Sequence, residues 1–201
     1  CFTAGTLIDT PSGPVDVAQL RVGDLVTTAD DGAQPIRWIG RRPLTAEALS
    51  LAEKLRPVRI LAGALGCGLP QRDLLVSRQH RMAVSSPVAA RLVGAPEVLV
   101  AAIKLTALPG IFVDTEVTEV TYVHLLLDQH QLLLAEGALS ESLYLGKDVR
   151  NTLPPAAWEE ITRLFPDAAG LARTQARQVP SDRLQKKLVS RLAKNRKPAV
   201  Q

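Results

Sequence analysis

The sequence predicts an all-β body over residues 1–146, followed by a helical C-terminal tail over residues 147–201. Residues 1–40 break into short apolar runs separated by turn-forming residues, which is typical of strands. The stretch 111–128 is rich in Val, Thr and Ile and alternates in polarity, which also favours strands. After Pro154 the spacing of apolar residues becomes helical. We therefore expect one compact β domain with a helical appendage.

The first strands are defined by turn residues that interrupt apolar runs. Asp30, Asp31 and Gly32 form the clearest of these signals, since such residues are typical of a β-hairpin turn. Strands are predicted at 6–9, 14–17, 25–28 and 35–40.

The middle of the chain adds one helix and more strands. Residues 44–55 (LTAEALSLAEKL) are rich in Ala, Leu, Glu and Lys and predict a short helix. Further strand-like runs follow in PVRILAGALG, DLLVS, RMAVSS, EVLVAAIKL, the stretch 111–128, and QLLLAEG.

Two amphipathic patterns predict helices in the tail. AAWEEITRLF places Trp158, Ile161 and Leu164 on one side, and Leu184 and Leu188 begin a second stripe that continues at 192.

Composition excludes few functions. The chain has 201 residues, of which 46% are apolar and 3% aromatic, so aliphatic side chains must fill the core. No run approaches 18 apolar residues, so we predict no membrane span. The sequence contains no strong internal repeat.

The net charge of +4 is concentrated near the C-terminus. Residues 183–197 hold seven of the 24 basic residues and no acidic ones, which leaves 17 basic against 20 acidic residues elsewhere. Such a segment can bind nucleic acid or anionic lipid, but no aromatic side chains interleave it for base stacking. We favour a solvated helix face.

The chain contains two cysteines. Cys67 lies among glycines in GALGCGLP, and we expect a small buried thiol there. One disulfide is possible, but two cysteines do not define a disulfide framework. Cys1 is harder to explain structurally, because a core cysteine gains nothing from the first position. Since a ribosomal product begins with Met, we expect Cys1 to have been exposed by loss of an upstream segment, through an imposed boundary, a protease or self-cleavage.

Two further stretches carry chemistry-bearing side chains. LLVSRQHRM contains Ser77 and His80, and a hydroxyl three residues before an imidazole can share one turn with it. The imidazole could then protonate a leaving amine, and the hydroxyl could orient a peptide. The pattern alone is weak, because S-x-x-H is common.

The second stretch, TYVHLLLDQHQLLLAEG, holds His124, Asp128 and His130. The even spacing of the two histidines places both on one face of an extended strand. Asp128 is a further candidate in the site. A zinc site is conceivable, but no closely spaced pair of ligands exists, and we expect no metal and no cofactor.

Taken in order, these stretches resemble the Hint superfamily, which Hedgehog autoprocessing domains and inteins share. CFTAGTLIDTPSGPVDVAQLRVGDLVTT is similar to the family's first block, LLVSRQHRM to the second, and YVHLLLDQHQLLLAEG to the penultimate block. The resemblance spans residues 1–146 and is closest to bacterial domains of the Hedgehog/intein type. It implies a compact horseshoe-like β fold.

The resemblance also implies a self-processing function. Cys1 would attack the carbonyl of the preceding residue in an N–S acyl shift, giving a thioester. His80 would protonate the departing nitrogen, and Ser77 would polarise the scissile amide. Water, a thiol or another nucleophile would then take the acyl group, in a single turnover.

The sequence departs from inteins after Gly137. Inteins continue there to His-Asn, whereas here ALSESLYLG follows. Asn151 lies further on, after Arg150 and before Thr152, and is too distant for that role. We therefore expect cleavage on the N-terminal side without full splicing.

Two alignments of the penultimate block conflict. One places His124 in the site and the other places His130 there. We favour His124, because a strand holds a side chain more firmly than a turn does. Ala46 stands where Hedgehog has an acidic residue for sterol transfer, with Glu47 beside it, and nothing favours cholesterol.

Two other functions remain open. One is an N-terminal-nucleophile amidohydrolase that uses the Cys1 amine as its base. The other is a non-catalytic β module with a basic anchoring tail. For the favoured function we expect a monomer whose partner is an upstream polypeptide in cis, with no clear nucleic-acid ligand. A secreted bacterial location is possible.

Overall fold

A computed structural model describes residues 1–146, 153–165 and 174–201. In order, its strands are β1 (Phe2–Thr3), β2 (Leu7–Ile8), β3 (Val15–Asp16), β4 (Leu25–Thr28), β5 (Gly32–Pro35), β6 (Trp38–Leu44), β7 (Val58–Ile60), β8 (Leu74–Val76), β9 (Arg81–Ser85), β10 (Glu97–Ala101), β11 (Ile111–Val113), β12 (Val120–Leu126), β13 (Leu132–Ala135) and β14 (Ala138–Glu141). The helices are α1 (Ala46–Leu51), α2 (Pro87–Val93), α3 (Ala102–Leu105), α4 (Pro155–Leu164) and α5 (Asp182–Lys194), with a 3-10 turn at Glu53–Leu55. The predicted all-β class with a C-terminal helix is confirmed.

The strands form two antiparallel sheets. The first has the order β11-β7-β8-β1-β12-β6, and the second has the order β10-β9-β14-β13-β2-β3. The hairpin of β4 and β5 joins the second sheet through β4, which pairs with β13. Because β1 lies between β8 and β12, the first residue of the chain is held between two strands that are distant in sequence.

The predicted turn at Asp30, Asp31 and Gly32 is confirmed, since β4 and β5 pair around it. The predicted return strand at 35–40 was wrong. The return strand ends at Pro35 because the chain then leaves that sheet, and β6 begins at Trp38 and pairs with β12 in the other sheet.

The sequence analysis missed β1, α2 and β14. It also predicted a strand for the whole of EVLVAAIKL, whereas β10 ends at Ala101 and helix α3 follows, because the Ala102 and Ile103 N–H groups donate to the carbonyls of His80 and Arg78 and not to a neighbouring strand. Helix α2 carries ordinary start and stop signals, because Ser86 caps it, Pro87 begins it and Gly94 ends it. Strand β14 follows β13 through a two-residue turn of Glu136 and Gly137, both at positive φ. That conformation suits a tight hairpin, but glutamate rarely adopts it, so the turn was not recognised.

The C-terminal helix is part of the core. Leu188, Val189 and Leu192 of α5 are buried in the main apolar cluster, together with side chains of both sheets. The seven basic side chains of residues 183–197 are exposed, as expected for a solvated face. Beyond the helix, Val200 forms a parallel bridge with Ser85 at the end of β9.

Helix α4 packs on a smaller cluster around Trp38. Ile161 contributes its buried side chain, and the Trp38 indole N–H donates a hydrogen bond to Glu160 at 2.8 Å. In the described part of the chain, no helix is both long and apolar enough to cross a membrane.

Candidate active site

The register of β1 brings the candidate residues together. Phe2 pairs with Val76 of β8 on one side and with Val123 of β12 on the other. In both antiparallel pairings, the residue before Phe2 faces the residue after its partner. Cys1 therefore lies between Ser77 and His124, and the Ser77 N–H donates a hydrogen bond to the Cys1 carbonyl at 3.0 Å.

The backbone nitrogen of Cys1 contacts both polar groups of the S-x-x-H stretch. It donates a hydrogen bond to Ser77 Oγ at 3.1 Å and lies 2.9 Å from His80 Nδ1. Ser77 and His80 share one turn, in which the His80 N–H donates to the Ser77 carbonyl at 3.0 Å. The Phe2 ring packs on the imidazole of His80 at 4.6 Å between centroids, which fixes its direction.

The thiol of Cys1 faces a different histidine. Its Sγ lies 2.7 Å from His124 Nε2 and 3.4 Å from Nδ1. The nitrogen and the sulfur of Cys1 thus each face a separate imidazole. One imidazole can take a proton from the sulfur while the other gives a proton to the nitrogen.

Burial keeps the Cys1 amine and the imidazoles of His80 and His124 uncharged near neutral pH. It lowers the pKa of the Cys1 amine from 8.0 to about 5, against an opposing effect of the Glu141 carboxylate. Burial, reinforced by the charge of that amine, lowers the pKa of His80 well below its usual 6.5. The same two causes lower the pKa of His124 to about 3. An imidazolium formed at either position would be a strong acid that gives up its proton readily.

Cys1 opens into a cavity of about 610 Å³. This volume exceeds that of a water molecule and falls in the range of small-molecule sites. Apolar and polar side chains both line it: Cys1, Phe2, Ser77, Gln79, His80, Arg81, Val123, His124, Leu125, Glu141, Ser142, Leu143, Tyr144, Gly146, Leu153 and Gln175.

Glu141 contributes the sole carboxylate among the described residues that line this cavity. Its Oε1 accepts a hydrogen bond from the Arg81 backbone N–H and its Oε2 one from the Arg81 guanidinium, both at 3.1 Å. The sequence analysis missed it because β14 was not recognised as a strand. The signal that could have found it is the two-residue turn at Gly137, after which β14 runs back along β13.

His130 lies behind Glu141 and not against Cys1. Its Nδ1 accepts a hydrogen bond from the Ala176 N–H at 3.0 Å, so its proton is on Nε2. That atom is buried, 3.3 Å from Glu141 Oε2, and the ring packs 5.0 Å from Tyr144. The structure therefore brings His124 to the thiol and His130 to the carboxylate.

Asp128 does not line the cavity. Its carboxylate forms a bidentate ion pair with Arg37 at 2.9–3.0 Å, on a surface where about half of each side chain is exposed. The structure therefore places it apart from the other candidates. Asn151 lies outside the described residues.

The expectation for Cys67 was wrong. Its side chain is exposed, in a loop where Gly66, Cys67 and Gly68 all adopt positive φ. Both Cys1 and Cys67 are free thiols.

A C-terminal segment, residues 174–180, closes one side of the site. Gln175 lines the cavity and Ala176 holds His130. Arg177 fixes the segment through ion pairs to Asp30 and Glu97 at 2.7–2.9 Å. Residues near the two ends of the chain thus build one wall together.

The described residues include no group of three or more His, Cys, Asp and Glu side chains arranged to hold a metal ion. The contacts described above instead suit proton transfer and nucleophilic attack at Cys1.

Comparison with known proteins adds a family match. A family model described as Hint domain matches residues 1–147. Among solved structures, the chain is similar to the MchDnaB-1 intein (11% identity, TM-score 0.45, 71% of this chain and 100% of that one). It is also similar to a bacterial intein-like domain from Clostridium thermocellum (15%, 0.44, 71% and 97%) and to the gp41-1 intein (13%, 0.41, 69% and 96%). No curated protein matches.

Proposed function

The chain belongs to the Hint domain family, and from that premise we propose that it is a single-turnover, cysteine-dependent self-cleaving domain. Its fold class supports a capacity for self-processing in general. The observation that supports the specific chemistry is the position of Cys1, whose nitrogen and sulfur each face a separate buried imidazole. Membership of this family also argues against an N-terminal-nucleophile amidohydrolase.

In the first step, the Cys1 thiol attacks the carbonyl carbon of the preceding residue. The thiol proton passes to His124 Nε2, and a carbon–sulfur bond forms while the carbonyl oxygen takes the negative charge. The carbon–nitrogen bond then breaks as the carbonyl re-forms. His124 releases its proton to the solvent in the cavity, His80 takes up a proton in turn, and the transient imidazolium gives its Nδ1 proton to the Cys1 nitrogen, so that both imidazoles end neutral. One proton has left the sulfur and one has reached the nitrogen, so the net step is an N–S acyl shift.

Ser77 stabilises this step from the other side of the nitrogen. Its hydroxyl lies 3.1 Å from the Cys1 nitrogen, where it can hold that atom out of conjugation with the scissile carbonyl. A twisted amide loses resonance and becomes a better target for the thiol.

In the second step, an acceptor attacks the thioester. Water, a thiol or another small nucleophile forms a new bond to the carbonyl carbon, and Cys1 Sγ departs. The products are the released upstream polypeptide and a domain that begins with Cys1. The residues ALSES after Gly137 offer no asparagine to cyclise, which supports N-terminal cleavage without splicing.

We propose that residues 1–146 form the unit that carries out the chemistry. Among the residues that the structure describes, the side chains in hydrogen-bond contact with Cys1 N or Sγ lie within residues 1–146. Residues 147–201 would support the site, with the basic face of α5 remaining solvated. We propose that the domain acts as a monomer on an upstream segment in cis.

The test is intact mass spectrometry on a precursor with a model segment fused ahead of Cys1. We expect dithiothreitol to accelerate release of the segment in the wild-type precursor and to have no effect in Cys1→Ala. Cys67→Ser is the matched control, because it removes the other, exposed thiol. A wild-type precursor that stays whole with the thiol present would show that this function is wrong.

A further inference from the structure

The strongest unassigned feature is the buried carboxylate of Glu141 in the cavity that Cys1 shares. Its side chain is 11% exposed, and its charge acts on the Cys1 amine, whose pKa it raises against the effect of burial. A carboxylate in a largely buried site needs partners, and here Arg81 supplies two hydrogen bonds. The proposed first step uses neither Glu141 nor Arg81.

The Glu141 carboxylate has acceptor positions that its contacts with Arg81 leave open. A carboxylate has about four lone-pair positions, and Arg81 occupies two of them among the described residues. His130 Nε2 approaches Oε2 at 3.3 Å without the alignment of a hydrogen bond. Glu141 lines the cavity through which the acyl acceptor of the second step must enter, so its remaining lone pairs can face that acceptor.

The other groups near Cys1 have partners already. His80 Nδ1 is directed at the Cys1 nitrogen, and His124 Nε2 is directed at the sulfur that becomes the leaving group. A base for the acceptor has to act from a different direction, and Glu141 is the carboxylate that the described cavity wall offers.

We propose that Glu141 is the general base that deprotonates a protic acyl acceptor, such as water or an alcohol, in the second step. This inference rests on the proposed function. The acceptor oxygen bonds to the thioester carbon and its proton goes to the Glu141 carboxylate. The carbon–sulfur bond then breaks, and the carboxylic acid returns the proton to Sγ. Arg81 and His130 position the carboxylate.

Comparing a thiolate with water as the acyl acceptor distinguishes this role of Glu141 from a role in the first step. A thiolate carries its charge already and needs no base, whereas water must lose a proton as it attacks. In the precursor of Glu141→Gln, we therefore expect hydrolysis to fall by about 10²-fold or more while cleavage by dithiothreitol changes by less than about threefold. Glu159→Gln, on the exposed face of α4, is the matched control and should leave both rates unchanged.

Two further variants guard against loss of structure. Glu141→Asp keeps the charge and should retain more hydrolysis than Glu141→Gln. In Glu141→Ala, added formate should restore hydrolysis in a saturable way without changing cleavage by dithiothreitol. Unchanged hydrolysis in Glu141→Gln, equal loss of both rates in a variant that melts like the wild type, or no rescue by formate would each overturn the proposal. Absence of dithiothreitol cleavage in the wild type would instead overturn the proposed function itself.

Discussion

His80 Nδ1 lies 2.9 Å from the backbone nitrogen of Cys1, at the end of a turn that also places Ser77 Oγ against the same atom. In a precursor that nitrogen belongs to the bond proposed to break. The imidazole is buried and packed on Phe2, so its direction does not depend on solvent or on a mobile loop. A proton donor held in this way contributes through position as well as acidity.

Replacing His80 by alanine should slow release of the upstream segment in the presence of dithiothreitol. General acid catalysis contributes roughly 10²–10⁴-fold, and we expect a loss in that range. The rate is measured by intact mass over time, beside thermal unfolding of the same variant, because the ring also packs on Phe2. A wild-type rate in a folded variant would remove His80 from the mechanism.

Replacing His124 and replacing His130 should affect different steps of the proposed reaction. His124→Ala loses the group beside Sγ and should slow cleavage by dithiothreitol by about 10²-fold. His130→Ala should leave this cleavage near the wild-type rate and reduce hydrolysis, because His130 contacts Glu141 and not the thiol. Both rates are followed for each precursor. Equal slowing of dithiothreitol cleavage by the two variants would contradict this division.

The stability of the chain with a free Cys1 amine should depend on pH. The amine's pKa falls from 8.0 to about 5 on folding, so the unfolded chain binds more protons between these values. Stability should be highest above pH 8 and fall as pH approaches 5, by roughly 4 kcal/mol at most.

Urea unfolding at pH 8.0 and pH 5.5 measures this dependence. The Nα-acetylated chain is the control, since it lacks the amine while His80 and His124 remain. Its stability should fall less over the same interval. An identical fall in the two chains would show that the amine is not buried as described.

Truncation of the C-terminal helix core should destabilise the β domain. Leu188 is fully buried in the main cluster, and Leu188→Ala should cost about 2–5 kcal/mol of unfolding free energy. The neighbouring Lys187 is exposed, and Lys187→Ala should stay within about 0.5 kcal/mol of the wild type. Urea unfolding checks both. A small loss for Leu188→Ala would mean that α5 contributes little to the core.

Part of the site could be predicted because short-range signals determine it. The S-x-x-H spacing puts Ser77 and His80 on one turn, and alternation in residues 111–128 predicts the strand that carries His124. The choice between His124 and His130 rested on a general preference for strands as supports. The structure gives the reason, since the pairing of Phe2 with Val123 sets His124 beside Cys1.

The Glu141 site could not be predicted in the same way. The strand that carries it begins after a turn in which Glu136 adopts positive φ, a conformation that its own chemistry does not favour. That turn is supported from outside, because the buried Glu136 carboxylate accepts hydrogen bonds from the Leu7 N–H and from Arg72. Distant partners thus decide a local conformation.

By itself, the sequence determined the β class of the body, the amphipathic helices near the C-terminus, and the turn that holds Ser77 and His80 together. These follow from patterns within a few residues, where side-chain period and turn chemistry act. Only the tertiary structure decided that α5 completes the core, that Cys67 is exposed, and that His130 lies beside a carboxylate and not beside the thiol. These features depend on how segments distant in the sequence pack together. The same packing buries Cys1, His80 and His124, and burial lowers the pKa of the Cys1 amine and of both imidazoles.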